Sequence, residues 1–169
     1  YNGFWLPPRE FERRTALIID PPNGRIPPQT PEAQARRAAV AEQRRLHPAD
    51  GPANRGLSER CITFGVPRLT AAYSSVFQVV QSPNEVVFLM ETIHDARVIP
   101  LDGRPHLPSS LSQWDGNSRG HWEGDTLVVE TTNFTDKGDI AHSGANGRMR
   151  GVRHSDKLHV VERFTLTGP

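Results

Sequence analysis

The stretch from Trp114 to Asp136, W-D-G-N-S-R-G-H-W-E-G-D-T-L-V-V-E-T-T-N-F-T-D, limits what this chain can become more than any other. From Thr126 to Thr132 β-branched residues dominate, and Leu127 and Val129 alternate with Val128 and Glu130. That period of two is what a half-buried strand requires. Before it, Glu123-Gly124-Asp125 reads as a tight turn, because glycine takes the positive φ that hairpin turns demand. Gly120-His121-Trp122 then becomes the partner strand, with Trp122 available to pack across the pair.

The remainder supplies more of the same. Cys61 to Phe64, Val76 to Val80, Val86 to His94, Arg97 to Leu101 and Leu158 to Thr167 are strand candidates, joined by polar turns such as Ser82-Pro83-Asn84. Short strands with hairpin-length connections predict a mainly β fold, an antiparallel sandwich or barrel. One helix is expected. Thr30-Pro31-Glu32 offers an N-cap hydroxyl, proline at the first helical position and an acid at the positive end of the dipole. The helix should run to Leu46 and lie at the periphery, because Ala35, Ala38, Ala39 and Leu46 make only a thin apolar stripe.

Proline dictates the N-terminus. Of 15 prolines, six lie in the first 28 residues, forbidding long helix and central strand there. Tyr1 to Pro31 is therefore an extended arm anchored by Phe4, Trp5, Leu17 and Ile19, which wraps its own domain or reaches a neighbouring protein. Residues 1–56 read as arm and surface helix, and 57–169 as the antiparallel β domain on which the arm packs. Between Thr135 and Asp156 a glycine-rich, basic loop carries Gly138, Gly144, Gly147, Gly151, Arg148, Arg150 and Arg153. A loop of that length is mobile or binds something.

Charge and composition exclude some classes. Twenty basic and nineteen acidic residues, spread along 169 positions, predict no basic face for nucleic acid. The longest apolar run, Val86 to Met90, falls far short of the roughly 20 residues of a membrane-spanning helix. The N-terminus does not read as a signal peptide. The lone Cys61 rules out an internal disulfide and any multi-cysteine metal site.

Four strings carry a resemblance: R-T-A-L-I-I-D-P-P-N-G-R-I-P, G-L-S-E-R-C-I-T, I-H-D-A-R-V-I-P-L-D-G-R-P-H-L-P and S-R-G-H-W-E-G-D-T-L-V-V-E-T-T-N-F. In these the chain resembles a large group of uncharacterised, often exported bacterial proteins, abundant in soil bacteria. The resemblance implies an extracytoplasmic location, periplasmic or secreted, and a mature or trimmed chain. It implies no particular activity.

For chemistry, Gly116-Asn117-Ser118-Arg119-Gly120 fits G-x-S-x-G, with acids and then His154 or His159 following. A nucleophile elbow needs a helix after the serine, and here a hairpin follows, so a Gly-Ser turn is the expectation. The histidines His94, His106 and His121, near Glu91, Asp95 and Asp102, are the candidate catalytic residues. Imidazole beside carboxylate can move protons near neutral pH, or hold zinc, copper or iron. Spacing lets His94 and His121 meet across adjacent strands, with His106 arriving from a loop, but names no metal and no cofactor. Asp102-Gly103 between Pro100 and Pro105 makes a rigid corner presenting Arg104. Arg97 and Arg104 would grip a carboxylate or phosphate, or pair with Glu91, Asp95 or Asp102. Trp114 and Trp122 complete a ligand-binding wall. The primary expectation is thus a small-molecule binder or acid–base enzyme with a His/Arg/carboxylate pocket. The alternative is a non-catalytic accessory subunit, using its arm and Gly/Arg loop as contacts. Asn133-Phe134-Thr135 also matches a glycosylation sequon.

Overall fold

The computed structural model describes residues 18–67, 76–140 and 152–166. The arm anchors Phe4, Trp5 and Leu17 and the segment Gly144 to Gly151 of the glycine-rich loop lie outside the described residues. The fold is mainly β: six strands form two three-stranded antiparallel sheets beside one α-helix. In the first sheet β1 (Phe77–Gln81), β2 (Glu85–Met90) and β3 (Ala96–Pro100) follow in order. In the second, β4 (Asn117–Glu123), β5 (Thr126–Thr132) and β6 (Val160–Thr165) do the same. Neither sheet closes on itself, so no barrel forms among the described residues.

The hairpin of β4 and β5 is built as its sequence dictates. Glu123 pairs with Thr126 across a two-residue turn, and Gly124 takes φ 59°, the left-handed geometry that primed hairpin turns require. Register then places Ser118 opposite Thr131, Gly120 opposite Val129 and Trp122 opposite Leu127 on one face. On β6, Val160, Glu162 and Phe164 extend that face.

Against this face packs the first sheet. Val86 and Phe88 of β2, Ile99 of β3, and Leu127 and Val129 of β5 form one buried apolar cluster, flanked by Met90, Leu101 and Phe164. Phe88 and Phe164 bring their ring centroids to 4.9 Å across the two sheets. The sheets approach closely at Gly120, where an added Cβ would sit 2.7 Å from Ile99 and 2.9 Å from Leu101. Only glycine lets β3 come so near β4. A smaller cluster of Val66, Phe134 and Val160, with Leu158 against it, seats the segment before β1 on the second sheet.

Two expectations need correcting. Cys61 to Phe64 is a turn rather than a strand: Cys61 takes φ 53°, and the Ile62 amide donates back to the Leu57 carbonyl at 2.9 Å. β2 stops at Met90 instead of reaching His94, because Ile93 and His94 both adopt positive φ within a short 3-10 turn. The helix α1 (Pro31–Leu46) does have the expected bounds, with the Thr30 hydroxyl accepting from the Ala33 amide at 3.2 Å and no buried residue. No helix among the described residues is long and apolar enough to cross a membrane.

Candidate functional site

The outer face of the second sheet is where polar groups gather, because alternation turns Asn117, Arg119, Glu130 and Thr132 away from the core. The segment 102–112 is tied down over it. Asn117 accepts the Leu107 amide at 3.1 Å, and Arg119 donates to the Pro105 carbonyl at 3.2 Å. Asn133, just past β5, holds the rest: its Nδ2 donates to the carbonyls of Leu107, Pro108 and Leu111 at 3.1, 2.9 and 2.9 Å. Asn133 sits at φ 58°, a conformation asparagine tolerates better than most residues. The amide nitrogen of the sequon is thereby engaged in the fold.

This tethering delivers His106 to Glu130. His106 Nε2 lies 4.0 Å from one oxygen of the Glu130 carboxylate, and His159 Nε2 lies 2.8 Å from the other. His159 precedes β6 and falls on the outer face by the same alternation that sends Val160 inward. The Glu130 and His159 side chains are half exposed, so their pairing contributes little to stability and is not needed to hold the fold. Beside them opens a cleft of about 540 Å³, whose lining includes Ser109, Ser112, Asn133 and Lys157 as well as both imidazoles. Among the described residues His106 Nδ1, which is buried, has no hydrogen-bond partner. Imidazoles beside a carboxylate can give and take a proton near neutral pH. These two do not make a metal centre: each ring reaches a different oxygen of the carboxylate. Among the described residues no three histidine, cysteine, aspartate or glutamate side chains gather as a metal ion would need.

The other expected site residues lie elsewhere. Arg97 meets Ser118, and Ile99 and Leu101 lie against Gly120, so β3 and β4 advance in the same direction. His94, three residues before Arg97, and His121, three after Ser118, consequently sit towards opposite ends. The sequence-based meeting of His94 with His121 does not occur. His94 is exposed in its turn, and His121 faces Glu123 at 3.2 Å on the surface. Arg104 folds back on Asp102, whose carboxyl the guanidinium holds below its usual range. Trp114 is half-buried beneath the helix rather than in this cleft, and Trp122 is 44% exposed.

Arg97 has an internal role. Its side chain is 10% exposed and pairs with that of Glu162, 12% exposed, at 2.5 Å. It also donates to the hydroxyls of Ser118 at 3.0 Å and Thr131 at 2.8 Å. Ser118 is 5% exposed within β4, so the serine of the G-x-S-x-G match is part of a polar joint between the sheets. His154 is a further buried titratable group, edge-on to Phe134 at 5.5 Å. Desolvation pushes its pKa down, opposed by the Ser155 carbonyl that accepts from Nδ1 and by Asp139.

Sequence reasoning selected His106 but missed Glu130 and His159 as its companions. The signal was present: antiparallel pairing of β5 with β6 puts His159 on the face of Glu130 once the register is known. No family model, no curated protein and no solved structure matches the chain.

Proposed function

We propose that the protein binds a small hydrogen-bonding organic molecule in the cleft between His106 and His159, with these imidazoles as acid and base and Glu130 as the group that positions both. The two facing sheets are read as a β-sandwich, and the tethered 102–112 segment as the wall of the site. The observation that supports this reading is the cluster of His106, Glu130 and His159: the Glu130 carboxylate stands 2.8 Å from His159 Nε2 and 4.0 Å from His106 Nε2, and both rings line a cleft with serine, asparagine and lysine. Such a mixture of donors and acceptors over Leu107, Leu158 and Phe134 suits a compact polar ligand with some apolar surface. The resemblance to exported bacterial proteins adds an extracytoplasmic location to the proposal.

Saturation-transfer NMR of the full chain against a panel of monosaccharides, nucleosides and hydroxy acids tests it. At least one compound should bind, and His106→Ala and His159→Ala should each abolish its signal without lowering the melting temperature. Binding that survives both substitutions would refute the assignment.

A second reading, the non-catalytic subunit, rests on a different observation. Every residue of β1 is exposed, and Val76 and Val79 retain 71% and 50% of their accessible surface. An apolar edge strand of this kind is a pairing surface for another chain. Light scattering of the parent beside Val79→Lys checks it: an oligomer that the lysine dissociates supports this reading, and a monomer in both opposes it.

A further inference from the structure

The chain is nearly neutral overall, with 20 basic and 19 acidic residues, yet folding separates its charges at one place. Beneath α1 a second cleft, of about 240 Å³, is lined by Arg44, Arg55, Arg60, Lys137 and Arg153. Among the described residues Asp139 is the one carboxylate in its lining. These cations come from separate segments: the last turn of the helix, the loop after it, and the two stretches that flank residues 141–151. Convergence from segments so far apart is a property of the fold, which is why the even spread of charge along the sequence concealed it.

The floor of the cleft is ordered before anything binds. Arg153 donates to the Lys137 carbonyl at 2.9 Å and lies 3.7 Å from the buried Asp139 carboxylate. Asp139 is therefore answered from within the protein. The neighbouring acid Glu59 is turned to the Gly56 amide at 3.4 Å. Arg44, Arg55, Arg60 and Lys137 have no ion-pair partner among the described residues. Like charges brought into one concavity repel, and the field they create concentrates anions there. Trp114, half-buried on the wall, supplies a flat apolar surface beside them.

We infer that this cleft is a binding site for a compact polyanion, a phosphate ester or a polycarboxylate, gripped by Arg55, Arg60 and Lys137 over the Arg153 floor. Arginine suits the role because its planar fork donates two parallel hydrogen bonds to one carboxylate or phosphate. Size selects the class. A cleft of about 240 Å³ lies below the roughly 300–1,000 Å³ of sites for drug-sized ligands, which suits a compact anion. The site is separate from the His106 cleft, whose lining it does not share.

Isothermal titration of the full chain with pyrophosphate and with citrate, at fixed ionic strength, tests the inference, with inorganic phosphate as the single-anion control. One of the two polyanions should bind one to one and more tightly than phosphate, and which one does so tells the ester from the carboxylate class. Arg55→Ala and Arg60→Ala should each weaken binding roughly tenfold or more, Arg60→Lys should recover part of it, and His106→Ala should leave it unchanged. All four substitutions are clear of the core, so melting curves should match the parent. Affinity that merely follows anion charge, or that survives Arg55→Ala with Arg60→Ala combined, would overturn the inference.

Discussion

Replacing Glu162 by alanine should destabilise this protein strongly. The substitution removes the carboxylate 2.5 Å from Arg97 and leaves an arginine side chain that is 10% exposed among Ser118, Thr131 and the facing sheet. The two hydroxyls still accept from it, but neither carries charge. Stranding one member of a buried ion pair costs about 3–5 kcal/mol. For a chain of this size that corresponds to a fall in melting temperature of about 6–20 °C, at ~2–4 °C per kcal/mol. The same logic makes a second measurement sharper. In Arg97→Met with Glu162→Leu no charge is buried, and Ser118 and Thr131 keep their mutual hydrogen bond of 3.0 Å. The double variant should therefore return to within about 1–2 kcal/mol of the parent. Urea unfolding followed by tryptophan fluorescence reads both. A Glu162→Ala protein within about 1 kcal/mol of the parent, or a double variant as unstable as the single, would refute the reasoning.

Three smaller outcomes follow from other residues. Asn133→Ala should cost about 2–3 kcal/mol in chemical denaturation, because it frees the carbonyls of Leu107, Pro108 and Leu111 and puts a residue without asparagine's tolerance at φ 58°. Hydrogen exchange should then quicken across residues 105–112. For His154 the folded pKa lies below the ordinary 6.5, chiefly through burial, so the unfolded chain takes up the proton first and stability present above pH 6.5 is lost as pH falls towards the folded value. His154→Gln should flatten that acid limb of the stability curve. Trp122→Ala should cost about half of the roughly 3–5 kcal/mol of a fully buried tryptophan, since 44% of its surface is already in water; thermal melting followed by circular dichroism checks this.

Much of the scaffold could be read from local sequence. The turn at Gly124 and the alternation through Thr126–Thr132 specify the β4–β5 hairpin, and the Thr30-Pro31 cap specifies where α1 begins. Those signals act within a few residues, so neighbours in sequence suffice to see them. The site was less legible because its geometry depends on packing between distant segments. Arg97 reads in sequence as a ligand anchor or as the partner of a nearby acid, and instead reaches Glu162, 65 residues away. His94 and His121 share a plausible spacing but are separated by the direction in which β3 crosses β4. His106 finds Glu130 only because Asn117, Arg119 and Asn133 fix the loop between them. By sequence Trp122 is available to pack across the hairpin or to wall a ligand. It faces inward, yet it stands at the turn end of its strand, where 44% of its surface is left open to water.

We propose that ligand chemistry belongs to His106, Glu130 and His159. Long-range proton–nitrogen NMR of the imidazole rings, recorded while a compound that binds is titrated into the full chain, tests it most directly. The ring nitrogens of His106 and His159 should shift together and saturably, and both responses should vanish in Glu130→Gln. A compound that saturates the protein while moving the rings of His94 or His121, with those of His106 and His159 unmoved, would contradict it.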